Sequence, residues 1–340
     1  MEWEVILPVW CQEWIRQGAV SSPILFGLYV DKLIVLLRSS KLGCTIGSSY
    51  LGIMVYSDDI ILLSPSRMGL QAMMDICQQF ALSHNLRFST NIDPVKSKTK
   101  CIHFSKKKIE LAKIELNGMD LPWVESALHV GNILERNNSF SKDIMKKRGS
   151  FIGRVHSILQ EFHFANPVVK MRIISLYATS FYGSNLWNFF SGQSDRLFAA
   201  WNNAVKDAFD LPRAAHRYFV EEISDHLHPM VMLCSRFVKF HQSLQKCVKP
   251  SVRFLSQLSS SDHRTSYCHN LNAIAQHAGT DLEKLSSSIL KNSMKYCKVP
   301  DEEKRTLLQD LLELRWNSLE IEVIEDQIDD LDEFIEDLCI

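Results

Sequence analysis

The strongest constraint on the fold is a pair of adjacent carboxylates set between two short apolar runs. Leu51–Val55 and Ile60–Leu63 are strongly apolar, and Asp58 and Asp59 stand between them. An unpaired charge is costly to bury near an apolar core, so the aspartates must reach solvent while the flanking runs are buried. A β-hairpin meets both demands, because its strands pack on a core while its turn faces water.

Two exposed carboxylates at one turn have a structural and a functional interpretation. As a structural feature, Asp58 and Asp59 are simply a polar turn. As a functional feature, they could share a divalent cation, because Mg²⁺ is held by one or two carboxylates together with waters and substrate phosphates. The doublet taken alone favours the polar turn, so the choice depends on the surrounding sequence.

The hydrophobic pattern predicts an α+β protein. Helices are predicted over Ser21–Ser40 and Ser66–Leu86, and the first should be largely buried because apolar residues cover most of its circumference. A strand is predicted over Thr99–Phe104, and Asn117-Gly118 is a strong turn signal between extended segments. We therefore expect an antiparallel sheet with helices on one face.

The pattern becomes helical after Ser139. Aromatic-rich helices are expected through Phe190, and the region 191–305 is predicted to be mostly α-helical. A run of serines near Ser256–Ser261 suggests a break within that region.

Charge is distributed unevenly along the chain. The net charge is −1, yet Leu319–Ile340 contains ten acidic residues and no Lys or Arg, so residues 1–318 carry +9. The stretch Arg87–Arg172 alone has 16 Lys and Arg against 8 Asp and Glu. An excess of basic residues over 1–318 favours a polyanion partner, although an ordinary solvated surface could have the same number of charges.

Composition and cysteine usage narrow the class of protein. No apolar stretch approaches the length of a membrane-spanning helix, and the N-terminal residues do not have the pattern of a signal peptide. The 9 cysteines include no CxxC pair, which fits reduced thiols in a nuclear or cytoplasmic protein. Two groups of Cys and His lack zinc-finger spacing and are interpreted as buried cysteines and surface histidines: Cys234, His241 and Cys247, and Cys268, His269 and His277.

Six segments, in order, resemble reverse transcriptases of non-LTR (LINE-type) retrotransposons. The "YSDD" of Tyr56–Asp59 resembles the YxDD box, and Arg16–Ile34 resembles the RQG box at the family's spacing. Val95–Lys108 is similar to the lysine-bearing palm segment, and Ile114–Glu135 to the segment that leads to the primer grip. The last two segments, Ser139–Val155 and Ser175–Ser191, resemble the helices that follow the palm in this family.

The resemblance covers roughly residues 15–245 and implies a function. It implies a partial palm over 1–135, thumb-like helices over 136–190, a helical post-thumb region over 191–300 and an acidic terminal helix over 301–340. The implied activity is RNA-directed DNA polymerisation, with an RNA template, a DNA primer and dNTP as partners. The alternative is a non-catalytic remnant that binds nucleic acid through its basic thumb face.

The resemblance also assigns roles to individual residues. Asp58 would be a ligand of Mg²⁺ or Mn²⁺, and Asp59 a second ligand or a support for the site. Tyr56 would lie near the primer end, and Lys98 near the triphosphate, although Lys98 has basic neighbours and could be simple surface charge. The residues implied to contact the incoming nucleotide and the template are Arg16, Gln17 and Gly18.

The sequence departs from the family pattern in several places. Trp14, Gly27 and Lys32 replace the usual Gly, Asn and Asp. The family's metal site also needs an aspartate from an earlier palm strand, and the acids that precede the RQG box are Glu2, Glu4 and Glu13. We therefore expect that strand and the fingers to be missing, and polymerisation to be weak or absent without a separate N-terminal portion. A palm without that strand would expose a sheet edge, which favours a partner.

The last part of the sequence has a heptad pattern. From Leu307 to Leu338 the apolar positions alternate in steps of four and three, and their flanks are almost wholly acidic. The pattern fits an acidic coiled coil with a basic partner helix, a helix that docks on the chain's own basic surface, or an ordinary amphipathic terminal helix.

Removing the acidic end tests self-docking. A chain truncated after Asn317 should bind RNA more tightly at low salt, because the ten carboxylates would no longer compete for the basic surface. Fluorescence anisotropy with a labelled RNA measures the change, and a full-length chain with those acids changed to Asn or Gln separates charge from length. Unchanged affinity in both variants would contradict self-docking.

Overall fold

The structure is a computed structural model that describes residues 22–57, 59–91, 93, 96–105, 112–215, 220 and 228–279, with the backbone alone at 22–25. The chain divides into two compact units, Met1–Asn138 (unit 1) and Ser139–Ile340 (unit 2). The described part combines helices with small antiparallel sheets, which is the predicted α+β class. Within it, no helix is both long and apolar enough to cross a bilayer.

Unit 1 contains two helices and four β-hairpins among its described residues. The helices are α1 (Ser22–Ser39) and α2 (Arg67–Ser83). The strands are β1 (Thr45–Ile46), β2 (Ser49–Tyr50), β3 (Ile53–Tyr56), β4 (Asp59–Leu62), β5 (Glu115–Leu116), β6 (Met119–Asp120), β7 (Ser126–His129) and β8 (Asn132–Glu135). Each strand pairs with its neighbour in sequence, so the described strands form four separate two-stranded sheets and not the single sheet that was predicted.

The two predicted helices of unit 1 are confirmed, but the predicted burial of α1 is wrong. Val30, Leu33 and Leu37 are buried, whereas Leu28 and Val35 are 72% and 54% exposed on the opposite side. The reason is that α1 packs against α2 and β3 through one face only, in the described part of the chain.

The strand predicted over Thr99–Phe104 is also wrong, since a single parallel bridge between Cys101 and Trp123 takes its place. Cys101 donates its N–H to the carbonyl of Pro122 and accepts from the N–H of Val124. Extending the pairing towards Thr99 would require an N–H at Pro122, which proline lacks.

Helix α2 separates two small apolar cores. Met73, Cys77 and Phe80 pack with α1 and β3 in the first core. Leu70 and Met74 pack on a second core built around Cys101 and the apolar residues in β5 and directly beside β5 and β6. Burial raises the pKa of the Cys77 thiol to about 12, so this thiol stays neutral and packs as a small apolar group.

Helix α2 also covers the hydrogen-bonding edge next to β5 with polar side chains. The amide of Gln71 donates to the carbonyl of Glu115 and accepts from its N–H. Gln78 accepts from the N–H of Asn117, and the guanidinium of Arg67 donates twice to the carbonyl of Lys113. These side chains satisfy backbone groups that a neighbouring strand would otherwise pair.

Unit 2 is helical in the part that the structure describes. Its α-helices are α3 (Ser141–Glu161), α4 (Pro167–Ile173), α5 (Gly192–Ala208), α6 (Pro229–Gln245), α7 (Pro250–Ser261) and α8 (Ser266–Ala278). A π-helical turn at Ile174–Ala178 continues α4, and a 3₁₀ turn lies at Ser184–Leu186. The break predicted near Ser256–Ser261 falls at the C-terminal end of that run, because α7 continues through these serines to Ser261 and α8 begins at Ser266. Ser260 and Ser261 stay helical while donating to the carbonyl of Gln257.

Aromatic side chains and two buried polar groups form the core of unit 2. Trp187 and Phe189 are fully buried, and the Trp187 indole donates to the buried carboxylate of Asp143 at 2.8 Å. The amide of Asn270 accepts from the N–H of Phe189 at 3.1 Å and donates to the carbonyl of Trp187 at 2.7 Å. Asn270 thus pairs both backbone groups of an irregular segment that has no ladder of its own.

Replacing Gly43 by alanine should destabilise unit 1 by about 2–4 kcal/mol. Gly43 has φ +96°, and a Cβ there would meet the Cα of Gly52 at 2.8 Å and the carbonyl of Leu63 at 3.0 Å. Urea denaturation measures the change. Gly27→Ala is the matched control, because nothing lies within 4 Å of its Cβ position in α1 and it should stabilise by about 0.5–1 kcal/mol. Equal effects at both glycines would contradict the close approach at Gly43.

Asn270→Ala should lower the free energy of unfolding by about 2–4 kcal/mol, because two buried backbone groups lose their partner. Asn203→Ala, an exposed position on α5, should change it by less than about 0.5 kcal/mol. Chemical denaturation of both variants against the wild type tests the pair. A small effect at Asn270 would mean that water replaces its hydrogen bonds.

Candidate active site

The predicted hairpin is confirmed over the two apolar runs. Strands β3 and β4 pair in antiparallel register from Ile53 opposite Leu62 to Tyr56 opposite Asp59, which leaves a two-residue turn. Ser57, the first turn residue, has φ +53°, as the tight hairpin turns of right-twisted strands require. Asp58, the second, lies outside the described residues.

The two faces of the hairpin differ in their surroundings. On the inner face, Ile53 is buried, and Val55, Ile60 and Leu62 are partly buried against the first core of unit 1. On the outer face, Met54 and Tyr56 of β3 are exposed, Tyr56 by 67%. The period of two along the strand therefore divides the hairpin into a packed face and an exposed face.

Asp59 lies on the exposed face as the cross-strand partner of Tyr56. Its side chain is exposed, and among the described residues its carboxylate makes no hydrogen bond and no ion pair. The carboxylate at this end of β4 is consequently available to a ligand from solvent.

Lys98 lies in a loop that its neighbours hold in place. Ser97 is buried and donates its hydroxyl to the carbonyl of Thr99, while Thr99 donates through its N–H and its hydroxyl to the carbonyl of Ser89. Lys98 itself is exposed and makes no ion pair within the described ranges. Within the described residues no hydrogen bond or ion pair joins Lys98 to the hairpin, whereas Tyr56 and Asp59 are paired across its two strands. Arg16, Gln17 and Gly18 lie outside the described residues.

The chemistry of the hairpin tip suits a hard divalent cation. An exposed carboxylate oxygen is the ligand that Mg²⁺ prefers, and the sequence adds the carboxylate of Asp58 beside that of Asp59. In the described part of the chain no group of three or more His, Cys, Asp or Glu side chains could hold a metal. The remaining ligands of an ion at this tip would have to be waters or substrate phosphates.

A further hairpin was missed by sequence patterns. Strands β7 and β8 are joined by a turn at Val130 and Gly131, with φ +44° and +74°. A left-handed conformation is strained for a β-branched residue, and such strain is often found at functional sites. Turn propensities do not find this position, since valine is not a turn former, although Gly131 is a weak signal.

Comparison with known proteins shows what the segment around the hairpin is similar to. Residues 5–112, which include the hairpin and Lys98, match the reverse transcriptase (RNA-dependent DNA polymerase) family. Over 61 residues the chain is 38% identical to the retrovirus-related Pol polyprotein from the type-2 retrotransposable element R2DM of Drosophila melanogaster. That stretch is 18% of this chain and spans only 6% of the length of the relative. Residues 5–112 are therefore similar to reverse transcriptases, and the relative that the chain resembles over 61 residues is the Pol polyprotein of a retrotransposable element.

Proposed function

We propose that the chain takes part in RNA-directed DNA synthesis, with the β3–β4 hairpin as the part of the active site that holds a divalent cation. The observation that carries the proposal is the pairing of Tyr56 with Asp59 across a two-residue turn on an exposed strand face. A paired hairpin of this kind would hold the carboxylate of Asp59 at a fixed position, which metal-assisted phosphoryl transfer requires.

In this proposal Asp58 and Asp59 hold Mg²⁺ or Mn²⁺, and Tyr56 packs near the primer end. An ion bound there would neutralise the charge that develops on the transferred phosphoryl group. The 3′ oxygen of the DNA primer bonds to the α-phosphorus of a dNTP, the bond from that phosphorus to the β-phosphate oxygen breaks, and pyrophosphate leaves. The proton of the 3′ hydroxyl passes to solvent.

Lys98 is proposed to neutralise the triphosphate. The proposal is supported by the position of Lys98, which is exposed between Ser97 and Thr99. The hydroxyls of both neighbours donate hydrogen bonds to backbone carbonyls, which fixes the backbone that carries the flexible lysine side chain. Arg16, Gln17 and Gly18 are proposed to contact the incoming nucleotide and the template.

The first turns of α3 are proposed to contact the nucleic-acid backbone, as a thumb-like element of the polymerase. Lys142 and Lys146 are exposed there, whereas the acidic residue of the same turns, Asp143, is buried and accepts from Trp187. The exposed charge of this end of α3 is therefore positive, which suits phosphates.

Primer extension on an RNA template tests the proposed activity. The chain should extend a DNA primer only weakly with Mg²⁺ or Mn²⁺, and the double variant Asp58→Asn/Asp59→Asn should reduce that rate further by at least about a hundredfold. Asparagine keeps the size of the side chain and removes its charge, so the loss reports on metal binding and not on packing.

Asp75→Asn is the matched control, because Asp75 is an exposed carboxylate of the same unit on α2, outside the segments that resemble the RQG and YxDD boxes. It should leave the extension rate unchanged. Extension that survives in the double variant would refute the assignment of the site. Absence of extension in every chain, with RNA binding retained, would favour a non-catalytic nucleic-acid-binding role.

A further inference from the structure

We propose that unit 2 has a separate binding surface for single-stranded nucleic acid, on which unpaired bases stack. The surface, called here the aromatic–cationic surface, consists of Lys147, Arg154, Tyr177 and Tyr182. It is defined within one unit and does not depend on the hairpin at which polymerisation is proposed.

Both tyrosine rings are exposed although their segment is firmly packed. Tyr177 and Tyr182 are 46% and 56% exposed, whereas Ile174, Ala178 and Phe181 of the same segment are buried. A single exposed aromatic side chain needs no explanation, but two that leave one packed segment beside cations form a patch of the kind that binds ligands. The pattern therefore indicates rings that are presented to a ligand.

Arginines fix the backbone that carries the two tyrosines. Arg154 of α3 donates to the carbonyl of Tyr177 at 3.2 Å. Arg236 of α6 donates to the carbonyls of Thr179 and Ser180 at 3.2 and 2.9 Å. With its carbonyls bound and Phe181 buried beside Phe151, the segment holds its rings in place, which lowers the entropy lost on binding.

Positive charge lies beside the rings. The Lys147 ammonium stands 5.5 Å from the centre of the Tyr182 ring. Lys147 and Arg154 are seven residues apart, so they lie on one face of α3 about 10 Å from each other. The sequence has no Asp or Glu between Glu161 and Asp195, and it includes Lys170 and Arg172 there. The ligand that this surface suits is therefore an anion.

Exposed aromatic rings beside cations suit a single strand better than a duplex. Phosphates pair with the cations, and bases stack on aromatic side chains at about 1–3 kcal/mol per base with little regard for sequence. In a duplex the base faces already stack on each other and are not accessible to a protein ring. An acidic peptide would satisfy the cations but would leave the ring faces without a stacking partner.

Binding of a labelled single-stranded oligonucleotide to the full chain tests the proposal by fluorescence anisotropy. The variant Tyr177→Leu/Tyr182→Leu should bind the single strand at least about tenfold more weakly, and Tyr177→Phe/Tyr182→Phe should bind it like the wild type. A duplex of the same sequence should lose less than about threefold in the leucine variant. Lys147→Gln should reduce the slope of log affinity against log salt by about 0.7.

Stacking has its own optical signal. An oligonucleotide that contains 2-aminopurine should be quenched by the wild type and by the phenylalanine variant, and not by the leucine variant. Phe254→Leu is the matched control, since Phe254 is a partly exposed aromatic residue on α7, which packs against α6 and α8. It should leave binding and quenching unchanged.

Three results would overturn the proposal: wild-type affinity in the leucine variant, an equal loss for duplex and single strand, or an equal loss in Phe254→Leu. Circular dichroism shows whether the leucine variant folds. If it does not, the affinity of the phenylalanine variant and the salt dependence of binding by Lys147→Gln decide whether the proposal holds. The Asp58→Asn/Asp59→Asn variant should keep its single-strand affinity, so failure of the polymerase proposal and failure of this one give different results.

Discussion

The β3–β4 hairpin can present one face to solvent because its other face is packed against α1 and α2, which holds the hairpin in place. A two-stranded sheet is marginally stable alone, and the described strands of unit 1 form only two-stranded sheets. Ile53 and its partly buried neighbours on β3 and β4 anchor the hairpin to Leu33, Met73 and Phe80. This packing fixes the direction in which Tyr56 and Asp59 point. The chemistry proposed at the tip therefore depends on apolar contacts on the opposite side of the same strands.

Much of unit 1 could be predicted from sequence because its signals are local. Apolar runs around Asp58 and Asp59 predict the hairpin, and Asn117-Gly118 supplies the left-handed turn that joins β5 to β6. Features that depend on distant residues could not be predicted. The segment around Cys101 forms a single β-bridge and not a strand, because the segment opposite it contains Pro122. No local sequence pattern predicts that these two segments lie side by side.

For the candidate sites, the sequence predicted some of the residues but not their surroundings. Family resemblance proposed Asp58, Asp59 and Lys98 as site residues, but local patterns gave no distance between the hairpin and the lysine. The apolar residues of α1 did not reveal which side would be covered, since periodicity reports the width of an apolar stripe and not its neighbours. Tyr177 and Tyr182 were missed because an aromatic residue in a helical pattern usually indicates core. Their exposure follows from how the π-helical turn and the segment after it pack.

Helix α2 has a consequence for how unit 1 opens. Adjacent residues Met73 and Met74 face different cores, and Phe88 packs against both. Displacing α2 would therefore release both cores in one event, so the amide protons of β3 and β5 should share one opening free energy in hydrogen exchange. The hairpin that bears the aspartates then belongs to a larger cooperative unit, and its strands gain kinetic protection from contacts made far along the chain.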